Sequence, residues 1–165
     1  MPNLRPRILI LGIGNTLRQD DGVGYRLAEQ AAALKLPDVE SRSVHQLTPE
    51  LAAEIAGASL VLFIDARISP GQGQAVGPEA DPTRVLLEPV NPSPEFWTCP
   101  HTATPANLMA LARWLYKANP KALALTIRAA NLDLGEGLSP EVECALPAVL
   151  QVIHALIQNH ANFRD

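Results

Sequence analysis

Two adjacent carboxylates, Asp20 and Asp21, a third at Asp65 and an imidazole at His101 are the side chains whose types and spacing suit chemistry at a common point. Two carboxylates and one imidazole make a borderline-hard ligand set, suited to Zn²⁺, Ni²⁺ or Fe²⁺ and leaving coordination positions open. An open position takes water or a substrate carbonyl, as metal-assisted hydrolysis requires. Each residue also has an ordinary explanation. One of Asp20 and Asp21 can cap the following helix while the other gains from its dipole, at ~0.3–2 kcal/mol each. Repulsion between such neighbours is tolerable if one is engaged by the backbone and the other faces a cation. Asp65 directly follows Leu60-Val61-Leu62-Phe63-Ile64, so its carboxylate must reach the surface or meet a partner. A lone histidine just before a helix, as His101 is, is more often a capping or surface residue. Function therefore turns on whether Asp21, Asp65 and His101 converge.

Other chemistries fit less well. Gly12-Ile13-Gly14-Asn15-Thr16-Leu17 invites a dinucleotide site, but Leu17 stands where the third glycine belongs and Asp20-Asp21 would repel phosphate, so no nucleotide is expected. Cys99 lies only two residues before His101 in a proline-flanked loop, which disfavours a Cys–His pair, and Cys144 is expected to pack in the last helix. Ser43, Ser93 and Ser139 lack the G-x-S-x-G elbow of serine hydrolases. His45 closes a strand before a helix start, and His154 and His160 fall on or past the final helix as solvated positions. Two cysteines without a CxxC give neither a disulfide framework nor a zinc ribbon, which fits a reducing cytoplasm.

Strands and helices alternate to position these groups. Arg7 to Ile13 reads as a buried parallel strand, followed by a helix on Val23, Leu27, Ala31 and Leu34 that stops at Pro37. Val39 to His45 is a second strand. Thr48-Pro49-Glu50 reads as N-cap, N1 proline and first-turn acid of a helix to about Ala56. Ser59 to Ala66 is the clearest buried strand, and the Gly- and Pro-rich stretch Ile68 to Pro82 is an exposed loop. Thr83 to Pro89 is a short strand, and Pro89 to Pro100 a proline-rich loop of functional appearance. Thr104-Pro105 opens a helix on Leu108, Leu111 and Leu115, and Ala122 to Ala129 is the last strand. Ser139-Pro140-Glu141 opens the final helix, with Val142, Ala145, Val149, Val152 and Leu156 facing inward and Pro147 kinking or splitting it. The architecture implied is a single α/β domain spanning 1–165, a three-layer α/β/α sandwich with a mostly parallel sheet of about five strands.

Composition narrows the partners. Over 165 residues, 47% are hydrophobic and 18% charged, so the chain has a core to bury and is not disordered. Thirteen Lys and Arg against seventeen Asp and Glu give a net charge of −4, with no basic run longer than two, so no nucleic acid is expected as partner. The longest unbroken apolar runs, Ile8–Leu11 and Leu60–Ile64, are far short of the ~18 residues of a membrane span, so no membrane association is expected.

The run Gly12-Ile-Gly-Asn-Thr-Leu-Arg-Gln-Asp-Asp-Gly-Val-Gly24 closely resembles the G-x-G-N-x-L-x-x-D-[DE]-x-x-G opening of the hydrogenase maturation proteases, endopeptidases that trim NiFe hydrogenase large subunits. Phe63-Ile64-Asp65-Ala66 is similar to that family's second motif, and His101-x-x-x-Pro105-x-x-Leu108 to its third. Gly135-Glu136-Gly137-Leu138-Ser139-Pro140 with Val142-Glu143 resembles its C-terminal segment. His45-Gln46-Leu47-Thr48-Pro49-Glu50 is similar to a stretch of members serving bidirectional, NAD(P)-linked hydrogenases. Thr126-Ile127-Arg128-Ala129-Ala130 departs from the glycine-x-x-proline pattern of many relatives. The resemblance implies a phosphorylase/hydrolase-like fold and a nickel-recognising site carried by Asp21, Asp65 and His101, with Asp20 outside it. It implies an endopeptidase that removes the C-terminal extension of a NiFe hydrogenase large-subunit precursor after nickel insertion, alongside hydrogenase assembly chaperones. The nickel arrives with the substrate and either takes part in hydrolysis or only reports that the substrate is loaded. The alternative on the same fold is a non-catalytic nickel-sensing assembly chaperone.

Overall fold

Successive residues of Ile8–Ile13 and Leu60–Ile64 point to opposite faces, and both faces are apolar, so these segments can be stable only as central strands covered on both sides. The computed structural model, which describes residues 7–68, 74–76, 85–93 and 103–162, places them so. In chain order the elements are β1 (Arg7–Ile13), a 3-10 turn (Gln19–Gly22), α1 (Val23–Ala33), β2 (Val39–Val44), α2 (Leu51–Ala56), β3 (Ala58–Arg67), β4 (Gln74–Ala75), β5 (Val85–Pro89), α3 (Pro105–Tyr116), β6 (Lys121–Arg128) and α4 (Pro140–Asn162). They form one sheet in the order β2-β1-β3-β6-β5-β4. β2, β1, β3 and β6 are parallel, while at one margin β5 pairs antiparallel with β6 and β4 antiparallel with β5. Ile8, Ile10, Leu60, Leu62 and Ile64 pack with α1 and α4 on one face. Leu9, Leu11, Ile13, Val61 and Phe63 pack with α2 and α3 on the other. This is the expected α/β/α sandwich, with β4 as a two-residue strand inside the stretch expected to be loop.

Several local expectations change for physical reasons. The inward stripe of α4 is Val142, Leu146, Val149, Ile153 and Ile157, with Ala145, Val152 and Leu156 half-buried beside it. Leu34 and Leu115 are exposed because α1 and α3 end beside them, and Ala28 and Ala112 take the buried positions instead. Pro147 does not split α4. Pro147 and Glu143 are both exposed, so the carbonyl that proline leaves unbonded is on the solvent side. Cys144 is exposed rather than packed. The Thr48 side chain hydrogen-bonds the Glu50 carboxylate, lowering its pKa, and α2 starts at Leu51 without a side-chain cap. At α3 the expected cap forms: Thr104 Oγ1 accepts from the Asn107 N–H, and Asn107 Oδ1 accepts from the Thr104 N–H. α4 is also long and apolar enough, by length and composition, to cross a membrane, although polar residues interrupt it throughout; its buried stripe lies on the sheet.

The chain leaves β1 through α1 to reach β2 on one side, whereas β3 lies on the other side of β1. Neighbouring parallel strands whose connections diverge leave a crevice at their carboxyl ends, the usual ligand position of an open α/β sheet. The β1–α1 connection and the end of β3 flank that crevice, so the fold itself selects where Asp21 and Asp65 sit.

Candidate functional site

The β1–α1 connection is held in shape by backbone contacts that only small residues permit. Gly14 has φ +149°, and a Cβ on it would run into the Asp21 carbonyl. Its N–H donates to the Val44 carbonyl at 3.0 Å, anchoring the loop to β2. Beyond it the Asn15 N–H donates to Asp21 Oδ2 at 3.1 Å, and Asn15 Oδ1 accepts from the Leu17 N–H at 3.0 Å. Asp21 is thus fixed through one oxygen and half-buried in the crevice.

Asp65 lies within β3, two residues before its end, paired with Thr126 of β6. By strand alternation it shares the face of Val61 and Phe63, the side covered by α2 and α3. Its Oδ1 accepts from the Ala66 N–H at 2.8 Å. Burial raises its pKa most, the Ala66 N–H opposes this, and the nearby charge of Asp21 raises it further, to about 6. The two carboxylates therefore lie within electrostatic reach of each other, and neither has an ion-pair partner among the described residues. Two repelling, partly desolvated acids with oxygens to spare fit a divalent cation between them.

Asp20, the neighbour of Asp21, is fully buried and points elsewhere. Its Oδ2 accepts from the Ala130 N–H and the Asn131 N–H, both at 2.8 Å, and from Ser139 Oγ at 2.8 Å. Its Oδ1 accepts from the Ser139 N–H at 2.7 Å. Burial alone would raise its pKa, but the bonds from Ser139, Asn131 and Ala130 outweigh it and hold the carboxyl below its ordinary value. Neither aspartate caps α1, whose N-cap is Gly22 without a side-chain bond. Both acids of the pair are engaged by backbone N–H groups, Asp21 locally by Asn15 and Asp20 by a distant segment.

Asp21 and Asp65 are brought together. His101 and Cys99 lie outside the described residues, and among the described residues no three His, Cys, Asp or Glu side chains form a metal cluster. His45 is exposed, its ring centroid 5.7 Å from that of Tyr25. His154 is exposed, but His160 is half-buried, with Nε2 3.1 Å from Ser59 Oγ. The residue that sequence reasoning missed is Ser139, weighed only as a nucleophile and helix opener, which gives Asp20 two of its four bonds.

The two shifted aspartates have opposite consequences for stability. Asp65, ordinarily near 3.8, binds its proton more tightly in the folded protein, so the stability it contributes is present below about pH 3.8 and lost as pH rises through about 6. In the ion-free protein this amounts to roughly 2–3 kcal/mol. Asp20 contributes stability above its unfolded pKa that is lost as pH falls through its lower folded value. Asp65→Asn is therefore expected to remove the decline between about pH 4 and 6 and to unfold at higher urea than wild type at pH 7.5. Urea titrations at the two pH extremes check this; equal midpoints for both proteins at pH 7.5 would contradict it.

No family model matches the chain. Among curated proteins it is similar to the hydrogenase 2 maturation protease of Escherichia coli, 29% identical over 156 residues that cover 91% of this chain and 90% of that protein. Among solved structures it is similar to an endopeptidase from Escherichia coli, with 26% identity, a TM-score of 0.64 and 93% of each chain covered. It shares its fold with the [NiFe] hydrogenase maturation protease HycI from Thermococcus kodakarensis, with a TM-score of 0.69, 22% identity and 92% of each chain covered. An α/β hydrolase acting on peptide bonds is the class that fold and relatives define together. The relatives it resembles over about nine-tenths of its length are hydrogenase maturation proteases.

Proposed function

We propose that this endopeptidase removes the C-terminal extension of a NiFe hydrogenase large-subunit precursor once nickel has been inserted, recognising the substrate's own nickel through Asp21, Asp65 and His101. The observation that carries the reading is the pair of carboxylates at the crevice, Asp65 largely buried and repelled by the charge of Asp21. Their repulsion becomes attraction to a divalent ion brought in by the substrate, so docking is conditional on the cargo. Asp65 shares its sheet face with α3, the helix that opens four residues after His101. The bound ion supplies charge stabilisation for the scissile carbonyl, and the carboxylates supply an acceptor for the proton of the attacking water. Leu17, Ile68 and Leu134, at 56%, 77% and 85% exposure on three connections at this edge, suit contact with a folded substrate protein. The setting on this reading is the cytoplasm, where the precursor and its assembly chaperones meet the protease.

Anaerobic incubation with nickel-loaded and nickel-free precursor tests the proposal. A shorter product from the loaded precursor alone is the expected result. Complex formation without shortening would replace the protease by a nickel-sensing chaperone, and equal cleavage of both precursors would remove nickel from the account.

A further inference from the structure

We infer that Asp20 is a positioning residue, which sets Asp21 opposite Asp65 by fastening the β1–α1 turn to the β6–α4 connection. The inference rests on the reading that Asp21 and Asp65 form the site, and it concerns a carboxylate that touches neither substrate nor ion.

Asp20 is 0% exposed, and its four donors all come from residues 130–139, more than a hundred positions away. The attachment is more than one side chain. The Asp20 N–H donates to the Asn131 carbonyl at 3.1 Å, the Gln19 N–H to the Gly135 carbonyl at 3.0 Å, and the Gly135 N–H to the Leu17 carbonyl at 2.9 Å. Gln19 has φ 47°, a conformation that costs a non-glycine residue strain and persists only where surrounding bonds enforce it. Asp21 comes next, one 3.8 Å virtual bond from the pinned Cα of Asp20, with its N–H on the Arg18 carbonyl at 3.1 Å. The 3-10 turn of Gln19–Gly22 therefore takes its orientation from residues 130–139, and the Asp21 carboxylate takes its aim from the turn.

The chemistry at the cage demands an anion. Three N–H groups and one hydroxyl converge on two oxygens, and an asparagine would turn its own NH₂ toward one of those donors. Ser139 also caps α4, its Oγ accepting from the Val142 N–H at 3.4 Å, so the cage ties the start of α4 to the same point. Helix capping in the ordinary sense does not explain Asp20, since α1 receives no side-chain bond from it.

The test uses the full chain carrying Asp20→Asn or Ser139→Ala, at a temperature where circular dichroism shows each folded. Two readouts separate positioning from stability: Ni²⁺ affinity by calorimetry, and the hydrogen-exchange protection and chemical shift of the Asn15 amide, which reports its bond to Asp21. Asp20→Asn is expected to weaken Ni²⁺ binding by about 10–100-fold and to expose the Asn15 amide, with Ser139→Ala intermediate. A folded Asp20→Asn protein with wild-type Ni²⁺ affinity and an unmoved Asn15 amide, differing only in melting temperature, would overturn the inference. If Asp20→Asn does not fold, Ser139→Ala decides by the same readouts. Failure of the wild-type protein to take up Ni²⁺ would count against the proposed function, while the Asn15 amide in the variants would still decide whether Asp20 places Asp21.

Discussion

Asp65→Asn should reduce cleavage of nickel-loaded precursor by about a hundredfold or more, the scale on which a carboxylate acting at the reacting centre contributes. The substitution keeps the shape of the side chain and its place in β3 while removing the charge. It also removes the buried anion whose proton affinity is raised by burial and by Asp21, so the same variant should be more stable than wild type at neutral pH. Loss of activity together with gain of stability is the signature of a residue held at a cost for function, and misfolding cannot produce it. Single-turnover processing of loaded precursor measures the first effect. Asp21→Asn should match it in activity, since its carboxylate is the charge that acts on Asp65 from the other connection. Wild-type processing by either variant would remove the carboxylate pair from the mechanism.

Gly24→Ala should lower stability by about 3 kcal/mol and depress the melting temperature by roughly 10 °C. A Cβ at Gly24 would collide with the carbonyl oxygens of Ile64 and Ile13 and lie 2.8 Å from the Ile64 carbonyl carbon. Those atoms belong to β3 and β1, the two central strands, whose backbone cannot shift without breaking the ladder. The only escape is for the start of α1 to lift, and that carries Asp21 away from Asp65. Gly57→Ala is the matched control: its Cβ would meet only the Glu54 carbonyl at 3.5 Å, and its φ of −82° suits any residue. That variant should be neutral or more stable by up to ~1 kcal/mol. Thermal unfolding of the pair measures both, and equal destabilisation would contradict the close crossing of α1 over the sheet.

The parallel strands were legible because each is an apolar run bounded by turn residues, and α3 because Thr104 and Pro105 announce its first turn. The face of α4 was not: apolar residues surround much of the helix, so periodicity admits several stripes, and contact with the sheet selects Leu146, Ile153 and Ile157. β4 escaped notice because two residues pairing with β5 leave no pattern in a stretch rich in Gly and Pro. Asp21 and Asp65 could be placed at one edge from their positions after β1 and late in β3. The different fate of Asp20 could not. Three of its four donors are backbone N–H groups, which carry no residue-type signal, and they lie 110 to 119 positions away.

The central claim is that two acids and one imidazole share an ion at the carboxyl edge of the sheet. Diffraction from crystals of the protein with Ni²⁺, collected at the nickel absorption edge, addresses it directly. The account predicts one anomalous peak with carboxylate oxygens of Asp21 and Asp65 and a ring nitrogen of His101 at about 2.0–2.2 Å. An ion held by Asp21 and Asp65 with His101 remote from it, or an ion bound elsewhere, would contradict the claim.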